Sequence, residues 1–169
     1  DDGAPTARAL AEFETTIVEW AKIVDSYRGY RLDLRWANLQ GANLEGAVLS
    51  GAHLEKARME GAHLGQVRLE RAFLMDAHLE GADLNNARLE GANLREARLE
   101  EANLRHARLQ GAYLVEARLE GTSCGKAHFH GAQLFGIRTE KARGTPFGLD
   151  MTRSVGTLNF GLPPAGEVY

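Results

Sequence analysis

Alanine and leucine recur together with a period of five. From Leu32 to Gly136 the sequence divides into 21 consecutive five-residue units. The third place of a unit is Leu in 18 of them, with Met59, Cys124 and Phe129 as exceptions. The first place is Ala in 18, with Leu32, Val67 and Thr122 as exceptions. So strict a pattern selects among backbones. An α-helix does not satisfy it: five residues advance a helix by about 500°, so the leucines scatter around it and form no apolar stripe. A straight strand fails as well. Ala and Leu two apart share one face, but the next Ala is three further on and points to the other.

The period is met if the chain turns between units. Each unit is then a short extended piece with two residues facing in, followed by a corner. Glycine closes many units, at Gly41, Gly46, Gly51, Gly61, Gly81, Gly91, Gly111 and Gly121, and glycine tolerates the backbone angles that sharp corners need. Corners of one hand wind the chain into a coil, and coils stack by backbone pairing as in other solenoids. Leu is then expected to fill the axis, with Ala where backbones come close.

Units such as "ANLEG", "ADLNN" and "ANLRE" resemble the pentapeptide-repeat family, whose consensus is A-(D/N)-L-X-X. The resemblance implies an all-β fold, a right-handed quadrilateral parallel β-helix with four units per coil. Residues 32–136 then make about five coils, a rod of roughly 25 Å at one strand spacing per coil.

Four units per coil place residues 20 apart in one column. Before each Leu, one column reads Asn38, Arg58, His78, Arg98, Arg118, Arg138, and the opposite face reads Val48, Arg68, Arg88, Arg108, His128. The other two read Asn43, His63, Asp83, Asn103, Ser123 and His53, Phe73, Asn93, Tyr113, Gln133. After each Leu, Glu60, Glu80, Glu100, Glu120 and Glu140 flank the first Arg column, and Glu70 and Glu90 the second. Stacked like charges repel, and a parallel Glu column relieves this. The arginines at 58, 98, 118 and 138 and at 68, 88 and 108 are candidate interaction faces for an acidic partner; set against that is a solvated, ion-paired surface of little energetic weight. Asn and Asp before Leu suit side-chain hydrogen bonds to nearby backbone.

Chemistry for catalysis is not evident. No Ser–His–Asp set, phosphate loop or paired carboxylate with a pocket stands out, and a Leu-filled axis leaves no room for a substrate. Six histidines invite a metal reading, but no zinc spacing is present. His128 and His130 stack over Arg108 and Gln110, and His53 and His63 lie on opposite faces. Cys124, the single cysteine, occupies a Leu place and is expected in the axis as a small buried hydrophobe. Neither enzyme activity, cofactor nor metal is expected.

Outside the repeat, residues 1–31 read as an N-terminal helical cap. Leu10, Phe13, Ile17, Trp20, Val24 and Tyr27 alternate by three and four, an amphipathic α-helix stripe. It would cover the open end of the rod or pair with a second copy, so a homodimer through this helix or a β-helix end is the oligomer to consider. Residues 137–169 read as an irregular cap and tail rich in Gly and Pro, with Leu149, Met151, Leu158 and Phe160 available to cover the far end. The chain begins at Asp1 and not at Met, which points to trimming or processing. No apolar run is long enough to span a bilayer, and the expectation for location is cytoplasmic.

The functional expectation is a non-enzymatic scaffold that binds another protein. The alternative comes from the resemblance: some family members protect DNA gyrase by imitating duplex DNA, with a strongly acidic rod and a C-terminal pairing helix. Here the 21 units hold 14 acids against 12 Lys and Arg, and the only helix signal is N-terminal. The same balance argues against direct nucleic-acid binding, and no small-molecule substrate is expected.

Overall fold

The fold is described from a computed structural model for Ile17, residues 31–148 and the pair 160–161. The coil follows from how each unit spends its backbone donors. Leu94 donates its N–H to the Tyr113 carbonyl one coil on at 2.7 Å, and Glu96 to Val115 at 2.9 Å. In return Tyr113 donates to Ala92 at 2.9 Å. Ala97 closes the corner by donating to Leu94 at 3.1 Å. The same four bonds recur unit after unit. Residues 20 apart pair in parallel from Asp33↔His53 to Ser123↔Arg143, so the period of five becomes a four-sided, all-β coil.

Every corner depends on one residue. The second residue after each central Leu has φ between 56° and 71°, from Trp36 to Lys141 without a gap. With the residue before it at negative φ and the corner closed by an i to i+3 hydrogen bond, this is the sign pattern of a type II turn. Glycine fills ten of these 22 corners; the other twelve hold side chains, among them Lys56, Arg71, Asp76, Glu101 and His106. A side chain there costs about 1–2 kcal/mol, so the stacked coil, not the local residue, imposes the angle.

The fifth donor, on the residue after each central Leu, has no backbone partner. Asn38, Asn43, Asp83, Asn93 and Asn103 supply one with Oδ1, accepting from the N–H two residues on at 3.1–3.3 Å. The expected link between Asn or Asp and local backbone is therefore a specific one.

Inside, the central Leu and the Ala of each unit are buried along the rod; from Ala57 to Leu119 all are 0% exposed. One unit compensates for its exceptions by volume. Thr122, larger than Ala, sits beside Cys124, smaller than Leu, and the Thr122 hydroxyl lies 2.9 Å from the Leu119 carbonyl and 3.2 Å from Sγ. Burial pushes the Cys124 thiol up from 9.0 to about 11, against a smaller opposite effect of Thr122.

The coil outlasts its consensus. Ile137 takes an Ala place and Thr139 a Leu place, both buried, and Lys141 forms a regular corner. The boundary expected at 136 is thus one unit short, because geometry continues where composition has already drifted. Gly144 ends it. A Cβ there would lie 2.5 Å from the Gly125 backbone nitrogen, and the next pairing, His128↔Phe147, spans 19 residues instead of 20. β1 (Ala142–Arg143) pairs in parallel with β2 (Phe160–Gly161), so the tail expected to be irregular contributes a short strand.

At the other end Ile17 is helical, 4% exposed and part of the apolar core. The other stripe residues, Leu10, Phe13, Trp20, Val24 and Tyr27, lie outside the described residues, as do Leu149, Met151 and Leu158. Among the described residues no helix is long and apolar enough to cross a membrane.

Leu94→Ala should cost about 2–5 kcal/mol in chemical denaturation, and Ala97→Leu should destabilise comparably by forcing coils apart. Gly121→Val should cost about 1–2 kcal/mol or more, since it adds strain at φ 71° and meets the Glu101 side chain; Lys56→Gly should fall within about 1 kcal/mol of the parent, strain relief offsetting chain entropy. At pH 8 Cys124 should resist alkylation until denaturant is added. Its contribution to stability is present below pH 9.0 and lost between there and about 11, because only the unfolded thiol ionises in that window.

Candidate interaction faces

The four outward columns define four faces. The first carries Asp33, His53, Phe73, Asn93, Tyr113 and Gln133; the second Asn38, Arg58, His78, Arg98, Arg118 and Arg138; the third Asn43 to Arg143; the fourth Val48, Arg68, Arg88, Arg108 and His128. The two Arg columns proposed from the sequence are therefore real columns on separate faces.

Their charge is matched within the rod. Nε of Arg98 lies 2.8 Å from Glu80 and that of Arg118 2.9 Å from Glu100, while each stands 3.9–4.0 Å from the Glu of its own coil. On the fourth face Arg88 reaches Glu70 at 2.8 Å and Arg108 reaches Glu90 at 2.7 Å. The strong pairing is with the preceding coil, because a side chain leaning along the rod passes the carboxylate below. The approaches are oblique: Nε of Arg68, Arg98 and Arg118 and the second oxygens of Glu80 and Glu100 are buried without hydrogen-bond partners. These half-exposed pairs are each worth about 0–1 kcal/mol. Arg58 and Arg68, at the foot of their columns, pair with Glu60 and Glu70 of their own coil at 3.3 and 3.5 Å. Burial raises the Glu70 carboxyl, but the Ser50 hydroxyl at 2.6 Å, Glu70's backbone, Arg88 and Arg68 outweigh it and hold it below its ordinary value. Arg138, at the top, has no ion pair among the described residues.

His78 interrupts the second-face ladder. Its Nδ1 stands 3.8 Å from Glu60 and 3.6 Å from Glu80, a grouping with metal-ligand spacing that the sequence reading missed because the three residues meet only across coils. Arg58 and Arg98 already supply cationic charge to these carboxylates at 3.3 and 2.8 Å, so the cluster is one rung of the ion-pair ladder. His128 and His130 face each other at 6.1 Å, with Phe147 5.1 Å from His128.

The first face differs in kind. His53 stacks on Phe73 with ring centres 4.7 Å apart, and the Arg31 guanidinium lies 5.3 Å from the Phe73 ring. Tyr113 is 42% exposed. The column after its leucines reads Arg35, Glu55, Met75, Arg95, Val115, Phe135, and Phe135 is 52% exposed. At its foot Asp33 binds Arg35 through both oxygens at 2.9 and 2.6 Å, which lowers the Asp33 carboxyl to about 2. The exposed apolar side chains beyond that foot stand out in the sequence once residues 20 apart are aligned, while charge alone does not mark them.

The corner between the first and second faces carries Asp76, Glu96 and Glu116 in successive coils. They line a groove of about 470 Å³ whose other wall is Arg98, Arg118 and Arg138.

Comparison with known proteins agrees with this architecture. The pentapeptide-repeat family model matches residues 32–71 and 72–111, in eight copies. No curated protein sequence matches the chain significantly. Among solved structures, HetL from the cyanobacterium Nostoc, involved in heterocyst differentiation regulation, is 34% identical with a TM-score of 0.50, covering 67% of this chain and 62% of its own. A pentapeptide repeat protein from the Arabidopsis thaliana thylakoid lumen is 31% identical with a TM-score of 0.43, covering 59% and 66%. Trypsin-treated QnrB1, a plasmid-mediated fluoroquinolone resistance protein, is 20% identical with a TM-score of 0.58, covering 73% and 64%. The chain thus spans less than two thirds of the length of each. With the repeat, the family model and the likeness to HetL in agreement, the chain belongs to the pentapeptide-repeat family.

Proposed function

We propose that the chain is a non-enzymatic scaffold that binds a protein partner through its outer faces. The observation that carries this reading is the pair of exposed aromatic side chains along the first face, Tyr113 and Phe135, beside the half-buried Phe73, Met75 and Val115. Large aromatic groups on a rigid surface are the anchors protein interfaces use, since they bury much area at little entropic cost. The filled axis supports the non-enzymatic part: leucines and alanines at 0% exposure leave no interior space for a substrate. Imitation of duplex DNA toward gyrase is the competing reading. It requires uncompensated acid along the whole rod, whereas on two faces the Glu rows are matched by Arg rows and the unmatched acids Asp76, Glu96 and Glu116 are confined to one edge.

The protein is expected to leave gyrase supercoiling unchanged at micromolar concentration and to co-purify from its native source with one protein at fixed stoichiometry. Inhibition of supercoiling, or protection of gyrase from a quinolone, would overturn the scaffold reading in favour of DNA mimicry.

A further inference from the structure

We propose that the edge between the first and second faces docks a basic amphipathic helix of a partner protein. This rests on the scaffold reading and names the partner's chemistry. Two columns run side by side along that edge. One is apolar, with Met75, Val115 and Phe135, and Tyr113 next to it on the face; the other is acidic, with Asp76, Glu96 and Glu116.

The acids are stacked one coil apart, near 4.8 Å, and none has an ion pair within 4 Å among the described residues. Arg98 and Arg118 across the groove do not neutralise them, being already held by Glu80 and Glu100 at 2.8 and 2.9 Å, and Arg138 across the groove and Lys56 below Asp76 stand beyond ion-pair distance of all three. Three like charges at that spacing repel one another, and a cationic partner relieves the repulsion. Beside them the apolar column offers area that water wets poorly, with Phe135 at 52% and Tyr113 at 42% exposure. A partner satisfying both columns needs an apolar stripe with Lys or Arg along one border.

A helix presents that arrangement at a matching pitch. Met75 and Phe135 are three coils apart, about 14 Å, the rise of between two and three helical turns. Successive cationic side chains on one helix edge are about 5.4 Å apart, close to the spacing of the acids. Arg95 interrupts the apolar column and calls for a small or acidic residue opposite it.

The test uses the full chain and a synthetic helical peptide of Leu and Lys at amphipathic spacing, with a second peptide carrying Glu for Lys, followed by calorimetry. The Lys peptide should bind and the Glu peptide should not. Binding should fall about tenfold for Tyr113→Ser with Phe135→Ser, and about tenfold for Asp76→Asn with Glu96→Gln and Glu116→Gln, with weakening by salt only where the acids remain. Val48→Ala with Gln110→Ala, on the fourth face, should leave it unchanged. Thermal melts of each variant confirm that the coil persists. Absence of binding, equal binding of the two peptides, or indifference to the edge substitutions would overturn the proposal; so would self-association abolished by those same substitutions, which would make the occupant a second copy. If a native partner co-purifies and edge variants retain it, the scaffold reading stands and this docking edge falls.

Discussion

The left-handed corner is the constraint on which the rest of the structure depends. One residue in five is held at φ near 60°, whatever its side chain. That angle turns the chain by about a quarter circle per unit, and four turns bring residue i+20 above residue i. Twelve of the 22 corners hold a residue other than glycine, at about 1–2 kcal/mol each. What offsets this is the layer each corner makes possible: four central leucines and four alanines sealed from water, at roughly 1.5–3 kcal/mol for each large side chain. The corner is a local cost carried by a collective gain, so single corners tolerate substitution while a single missing Leu should not be tolerated.

The same economy of the backbone explains the alternation of unit types. The coil uses four of five backbone donors and leaves the one after Leu. An Asn or Asp before Leu can occupy it; an Arg there reaches along the rod to the Glu of the coil below instead. Two faces thus become self-neutralised ladders, and the first face is where Phe73, Tyr113 and the column residues Met75, Val115 and Phe135 serve neither the backbone nor an internal ion pair. Specificity for a partner is most readily carried by such residues, since changing them leaves the coil intact.

How far the sequence could be read varied with the distance over which residues act. The Ala–Leu period is local, and the buried rows from Ala57 to Leu119 follow it directly. The Arg and Glu columns were legible once the coil length was supplied by the family resemblance. The pairing partner of each Arg was not, because Glu80 and Arg98 are 18 residues apart and meet through the lean of side chains. The coil runs one unit past its consensus for a related reason: Ile137 and Thr139 break the pattern yet fit the layer, and just past Gly144, where a Cβ would clash with Gly125, the pairing interval shortens from 20 residues to 19.

By itself the sequence determined that this chain turns every five residues with an apolar interior, because only a small and a large side chain at fixed offset satisfy that layer. Only the tertiary structure decided which charges are already spent. Asp76, Glu96 and Glu116 look no different in sequence from Glu80 and Glu100. Stacking sets the second group against arginines of the next coil and leaves the first along an apolar edge. The reason is geometric: a column's neighbours are fixed by the four-sided coil, 20 residues at a time, and not by adjacency along the chain.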